Sequence, residues 1–125
     1  MNIIISNSSD LPIYEQIGVQ IKQLIMKGEL KEGDTLPSMR FLAKELQVSV
    51  ITTKRAYEEL EREGFIETMT GRGSFVAPRN VERFQEEQLR QIEGLMQKSI
   101  TMAKIGGISF EELQEMLKSL YMEQK

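Results

Sequence analysis

Residues 36–60 read LPSMRFLAKELQVSVITTKRAYEEL, and the fold turns on how this stretch is divided. A residue before proline is pushed out of the helical region, so Leu36 arrives extended and Ser38 is placed to cap a short helix. That helix is expected to carry Phe41, Leu42 and Leu46 inward, and Gln47-Val48 is the turn that ends it. Ser49 is a second capping residue. Thr53, Ala56, Tyr57 and Leu60 then recur at helical spacing and form the core stripe of a further helix that stops at Gly64.

Upstream, Asp10-Leu11-Pro12 opens another helix, because a proline near a first turn gives up an N–H that would have had no partner. Ile13, Ile17, Ile21, Leu24 and Ile25 make one apolar stripe, and Gly28 ends it. The segment Glu29–Asp34 is turn-like. Downstream, Phe65–Met69 and Ser74–Val76 are short strand-like runs around Thr70-Gly71-Arg72-Gly73, which reads as a hairpin tip with access to positive φ. Pro78 closes the unit. The expected class is α+β, mostly α: three helices and a β-hairpin wing over residues 1–78, a winged helix-turn-helix, followed by a two-helix segment over residues 79–125.

In that second segment a long amphipathic helix runs from about Val81 to about Lys104, carrying Phe84, Leu89, Ile92, Leu95, Met96, Ile100 and Ala103 on one stripe. Gly106-Gly107 breaks it. Ser109 caps the next helix with Glu112 as the other half of a capping box, and Phe110, Leu113, Leu117, Leu120 and Tyr121 line its face. Two helices cannot bury that much apolar surface on each other. The plain expectation is a homodimer core made of Phe84, Leu89, Ile92, Leu95, Met96, Ile100, Phe110, Leu113, Leu117, Leu120 and Tyr121. The sharper alternative is a methionine-rich effector pocket around Met96, Met102, Met116 and Met122.

Composition narrows the chemistry. A chain of 125 residues holds one compact domain and a small appendage. With neither cysteine nor histidine it lacks a thiolate nucleophile, a zinc ribbon, and the commonest general base and transition-metal ligand. No enzyme, cofactor or metal is expected. The apolar start Ile3-Ile4-Ile5 is too short for a signal-peptide core or a membrane span, which points to the cytoplasm and away from membranes. The net charge of −3 is unusual for a nucleic-acid binder. Residues 1–78 hold 9 Lys and Arg against 11 Asp and Glu, and residues 79–125 hold 7 against 8. A DNA site must therefore be a local patch.

The order of elements places that patch. In a winged helix-turn-helix the later helix enters the major groove while the hairpin straddles the backbone. The helix beginning at Ser49 leaves Val50, Ile51, Thr52, Lys54, Arg55 and Glu58 outside its core stripe. Its cations cluster near the reading end, and Glu58, Glu59, Glu61 and Glu63 lie toward the other, against the helix dipole, which reads as an acidic end kept away from DNA.

With Leu36-Pro37-Ser38-x-Arg40, Val48-Ser49, Arg55-Ala56-Tyr57-x-x-Leu60 and Gly71-Arg72-Gly73 in register, residues 10–77 closely resemble the DNA-binding domain of the GntR family of bacterial regulators. The short helical tail is similar to the YtrA-type branch, whose members are typically dimeric repressors near transporter genes. The resemblance implies a homodimeric repressor of its own operon and a nearby transporter operon, with double-stranded operator DNA as partner. It implies DNA contacts by Ser38, Arg40, Ser49, Val50, Ile51, Thr52, Lys54, Arg55, Gly71, Arg72 and Gly73. Arg40 would grip phosphate or a guanine edge, Ser49 and Thr52 would bond phosphates, Lys54 and Arg55 would contact backbone or bases, and Arg72 would enter the minor groove. Many relatives carry arginine at the position of Val50 and threonine at that of Ile51. Base readout here would then rest on Arg40, Lys54 and apolar contact with thymine methyls.

Plainer readings stand beside these. Arg55 or Lys54 could pair with Glu58 or Glu59 along the helix, Thr52 could satisfy local backbone groups, and Gly71 and Gly73 are needed by a tight turn whatever its use. A winged helix serving as a protein-interaction module is the competing functional class. An unidentified small-molecule effector is the other open partner.

Overall fold

The computed structural model describes residues 1–78 and 81–123, and the chain divides into two compact units, Met1–Asn80 and Val81–Lys125. The first unit contains helices α1 (Ile13–Met26), α2 (Met39–Leu46) and α3 (Val50–Arg62), then strands β1 (Ile66–Met69) and β2 (Gly73–Val76). The strands pair antiparallel, from Ile66 opposite Val76 to Met69 opposite Gly73. The second unit contains α4 (Val81–Ile105) and α5 (Phe110–Glu123). No helix among the described residues is long and apolar enough to cross a membrane.

The core of the first unit follows from the helical stripes. Ile17, Ile21 and Ile25 of α1 are buried against Ala56, Tyr57 and Leu60 of α3, with Leu42 and Ala43 of α2 and the hairpin residues Phe65, Ile66 and Val76 closing the volume. One inward assignment fails. Phe41 is 56% exposed, and the inward face of α2 is Leu42 and Ala43. Successive residues of an α-helix diverge by about 100°, so Phe41 and Ala43 cannot share a face, and the small residue takes the tight position against α3.

Two features were not legible beforehand. Asp34–Leu36 runs beside β2 through an isolated bridge of Thr35 to Phe75: the Gly33 N–H donates to the Val76 carbonyl, Val76 to Asp34 and Leu36 to Ser74, each at 2.9 Å. The chain start is also bound. The Gln20 side-chain amide accepts from the Ile4 N–H at 2.9 Å and donates to the Ile4 carbonyl at 2.7 Å. Gln16 repeats this on Ser6 at 2.8 and 2.9 Å. A primary amide offers the donor and acceptor that a neighbouring strand would offer, so α1 holds an extended segment and buries Ile3 without a sheet.

In the second unit, α4 and α5 meet only around their connecting turn. Gly107 there has φ +70°, Ile108 N–H closes on the Ala103 carbonyl at 2.8 Å, and Ser109 Oγ caps α5 by accepting from the Glu112 N–H at 3.2 Å. Glu112 completes the box differently from the usual pattern, receiving the Ser109 hydroxyl at 3.4 Å. Among the described residues of this unit only Ala103 is buried. The apolar stripes point outward, with Leu89 64%, Phe110 70% and Tyr121 76% exposed.

Candidate nucleic-acid interface

The turn between α2 and α3 is built from capping chemistry. Ser38 Oγ accepts from the Phe41 N–H at 3.1 Å and Ser49 Oγ from the Thr52 N–H at 3.2 Å, each replacing one of the partners that a helix start lacks. Gln47 adopts the left-handed conformation, φ +57°, and Val48 N–H returns to the Ala43 carbonyl at 3.0 Å, which reverses the chain. Two buried hydroxyls fasten the pair. Thr53 Oγ1 lies 2.9 Å from the Met39 carbonyl and 3.0 Å from that of Val50, and Tyr57 donates to the Pro37 carbonyl at 2.7 Å. Burial pushes the Tyr57 phenol far above its ordinary range, so this donor keeps its proton.

With one side of α3 fixed in this way, its other side is defined. Val50, Ile51, Lys54, Arg55 and Glu58 are exposed, and Ile51, at 79% exposed, is an aliphatic side chain held out in water at the first turn. Thr52 is half-buried. Its hydroxyl lies 2.8 Å from that of Ser49, so the pair spends one of its two protons internally and keeps one for an outside acceptor. The plain reading of Thr52 as a local cap and the reading as a phosphate donor are thus both accommodated by the geometry.

Arg40 is exposed at the second residue of α2. On the wing, Gly71 and Gly73 have φ of +81° and +97°, and Arg72 N–H closes the tip on the Met69 carbonyl at 2.9 Å. Positive φ costs an L-residue roughly 1–2 kcal/mol, so the glycines set the shape of the tip and Arg72 is its exposed charge. Among the described residues, the side chains of Arg40, Lys54 and Arg72 form no hydrogen bond or ion pair. Their charge is uncompensated, which is what a local cationic patch on an acidic chain requires.

The acids at the far end of α3 take partners within the first unit. They are fasteners: Glu59 receives Arg62 at 2.8 Å on both oxygens, Glu61 accepts from the Thr68 N–H of the wing at 3.0 Å, and Glu63 pairs with Lys22 of α1 at 2.6 Å. Two of the four, Glu61 and Glu63, thus tie the end of α3 to β1 and α1, while Glu59 pairs within α3 itself. Glu58 is exposed and takes no partner among the described residues.

Arg55 pairs with neither Glu58 nor Glu59. Its guanidinium carbon lies 3.8 Å from the centre of the Tyr14 ring on α1. Tyr14 was missed by sequence reasoning, and its one signal was an aromatic residue beside, rather than on, the isoleucine stripe of α1. Among the described residues no group of three or more carboxylates gathers as a metal site.

The description "Bacterial regulatory proteins, gntR family" matches residues 13–76, which are α1 through β2. The chain is 40% identical over 112 residues to the HTH-type transcriptional repressor YtrA of Bacillus subtilis (strain 168), covering 90% of this chain and 86% of that one. A crystal structure described as a transcriptional antiterminator from Listeria monocytogenes EGD-e superposes with a TM-score of 0.74 at 31% identity, over 97% of this chain and 90% of the other. The DNA-binding domain of AraR in complex with operator ORX1 superposes with a TM-score of 0.55 at 25% identity, over 62% of this chain and 96% of that one. Motif register, winged architecture and the extent of these matches agree: this chain is a transcriptional regulator of the GntR family, with a GntR-type winged helix-turn-helix as its DNA-binding domain.

Proposed function

We propose that this regulator is a cytoplasmic, homodimeric repressor that occupies a palindromic operator of its own operon and of a nearby transporter operon. The observation that carries the reading is that Arg40, Lys54 and Arg72 of the GntR-type domain are exposed and take no partner among the described residues, with Ile51 standing out from the start of α3. Arg40 and Lys54 supply charge-assisted donors to phosphates or guanine edges. Ile51 and Val50 supply apolar contact suited to thymine methyls, and Arg72 extends from the wing toward the neighbouring groove. Ser38, Ser49, Thr52 and the amides of Gly71 and Gly73 complete the backbone contacts. The repressor relative and the operator-bound neighbour support this direction of activity.

Homodimerisation is supported by the open tail. Contiguous apolar surfaces of this size on a folded chain mark association sites, and α4 and α5 do not cover one another. A second copy covers them self-complementarily about a two-fold axis, which also presents two copies of α3 to two half-sites. An electrophoretic shift on the promoter fragment of its own operon tests the proposal. Binding at about 50 mM salt that is abolished by the Arg40→Ala plus Arg72→Ala double substitution is expected. Undiminished binding by the double variant, or none by the unaltered chain, overturns it.

A further inference from the structure

We infer that Tyr14 of α1 is a positioning residue for DNA contact, holding the Arg55 guanidinium by its flat face so that its edge donors stay open for a backbone phosphate. The inference rests on the DNA-binding reading above. Its starting observation is the 3.8 Å separation between the guanidinium carbon and the ring centre, which puts the cation directly over the aromatic face. Arg55 and Tyr14 are 41 residues apart in sequence and belong to different helices, so the stack is a tertiary contact.

The partners that Arg55 does not take are equally informative. Glu59, one helical turn on, receives Arg62 through both oxygens at 2.8 Å. Glu15, next to Tyr14, accepts the Tyr14 hydroxyl at 3.1 Å. Among the described residues Arg55 forms no ion pair. A carboxylate would have consumed two of its five N–H donors and cancelled its charge, whereas a ring binds the face and leaves the in-plane donors and the charge intact. The hydroxyl bond to Glu15 fixes one edge of the ring, so cation, ring and carboxylate form a chain anchored on α1. An arginine held this way loses less rotamer freedom on meeting phosphate than a lone lysine such as Lys54.

The test uses the full chain and a duplex that the unaltered protein selects from a randomised library. Tyr14→Leu is expected to weaken binding about three- to tenfold per half-site, the range set by freezing one long side chain. Tyr14→Phe, which keeps the aromatic face, is expected to bind within about twofold of the parent. In an Arg55→Ala background Tyr14→Leu should cost nothing further, and Arg55→Ala should lower the slope of log affinity against log salt by about 0.9 per protomer. Equal loss from Tyr14→Leu in both backgrounds shows a merely structural ring and overturns the inference, as does parental affinity and salt slope for Arg55→Ala. Should Tyr14→Leu fail to melt cooperatively, Arg55→Lys reads the same stack from the other side: a threefold or greater loss is expected, and parental affinity overturns it. If the unaltered chain enriches no duplex, the functional proposal fails and this inference with it. If the unaltered chain binds and only the Tyr14 and Arg55 predictions fail, the functional proposal stands alone.

Discussion

Tyr57, in the middle of α3, donates its hydroxyl to the carbonyl oxygen of Pro37, the residue just before the α2 cap, at 2.7 Å. This bond joins residues twenty apart and ties α3 to the segment that leads into α2. Tyr57→Phe keeps the ring's packing and strands that carbonyl, which should cost about 1–3 kcal/mol. For a unit of this size each kcal/mol is roughly 4–8 °C in Tm, measurable by circular dichroism.

The same residue predicts a pH dependence. Burial raises the folded-state phenol above its ordinary value of 10.0, so folding favours the protonated form. The associated stability is fully present below pH 10.0 and is lost as pH rises further, because only the unfolded chain releases the proton readily. Comparing denaturation midpoints of the parent and Tyr57→Phe between pH 8 and 11 isolates this contribution. The gap between them should narrow in the alkaline arm, and a constant gap would refute the assignment.

On the reading surface, the substitutions should separate by role. Arg72→Ala is expected to weaken binding to every duplex and to reduce the salt slope by about 0.9 per protomer, as loss of a phosphate-directed charge does. Ile51→Ala should leave the slope unchanged and relax preference at thymine positions. Lys54→Ala should alter preference where it reads a base, by about 1–3 kcal/mol between correct and incorrect pairs. Competition shifts with single-position operator variants measure all three.

For the tail, Leu95→Asp or Leu117→Asp places a charge on a face that is expected to be covered in a dimer. Sedimentation velocity should show a monomer, and operator affinity should fall by more than tenfold while the first unit melts as before. Burying each leucine contributes about 1.5–3 kcal/mol, so one such change in a two-fold interface counts twice. A dimer of parental stability in both variants would exclude this face.

Two glycines give opposite predictions. A Cβ at Gly18 of α1 meets no atom within 4 Å, and the backbone is helical there, so Gly18→Ala should stabilise by about 0.5–1 kcal/mol. Gly73 has equal space but φ +97°, so Gly73→Ala should destabilise the wing by roughly 1–2 kcal/mol. Thermal melts of the two variants should move in opposite directions.

Much of this was readable from short-range pattern. Ser38 and Ser49 as caps, Gln47-Val48 as the turn, and the stripe Thr53, Ala56, Tyr57 and Leu60 depend only on neighbours within one or two helical turns. Phe41 was misplaced because periodicity over eight residues does not decide which of several apolar neighbours meets the tight contact. Pairings between distant residues were invisible for a different reason: Tyr14 with Arg55, Gln16 with Ser6, and Glu63 with Lys22 are set by how the helices stack. The contacts of the acidic end of α3 were invisible for the same reason, since a run of glutamates looks the same in sequence whether or not it ties neighbouring elements together.

Paired through its tail as proposed, with α4 and α5 left open to a second copy, this regulator is a counter of its own copies. A 25-residue helix with one buried side chain gains little from its own chain, and isolated helices in water are marginal. In the proposed homodimer the order of the second unit depends on encountering a second copy, whereas that of the first does not. Dilution should melt the tail while leaving the winged domain intact, giving two thermal transitions of which only one moves with protein concentration. Under the proposed autorepression, operator occupancy rises more steeply than the amount of protein made, and the gene settles at the level where its product begins to pair.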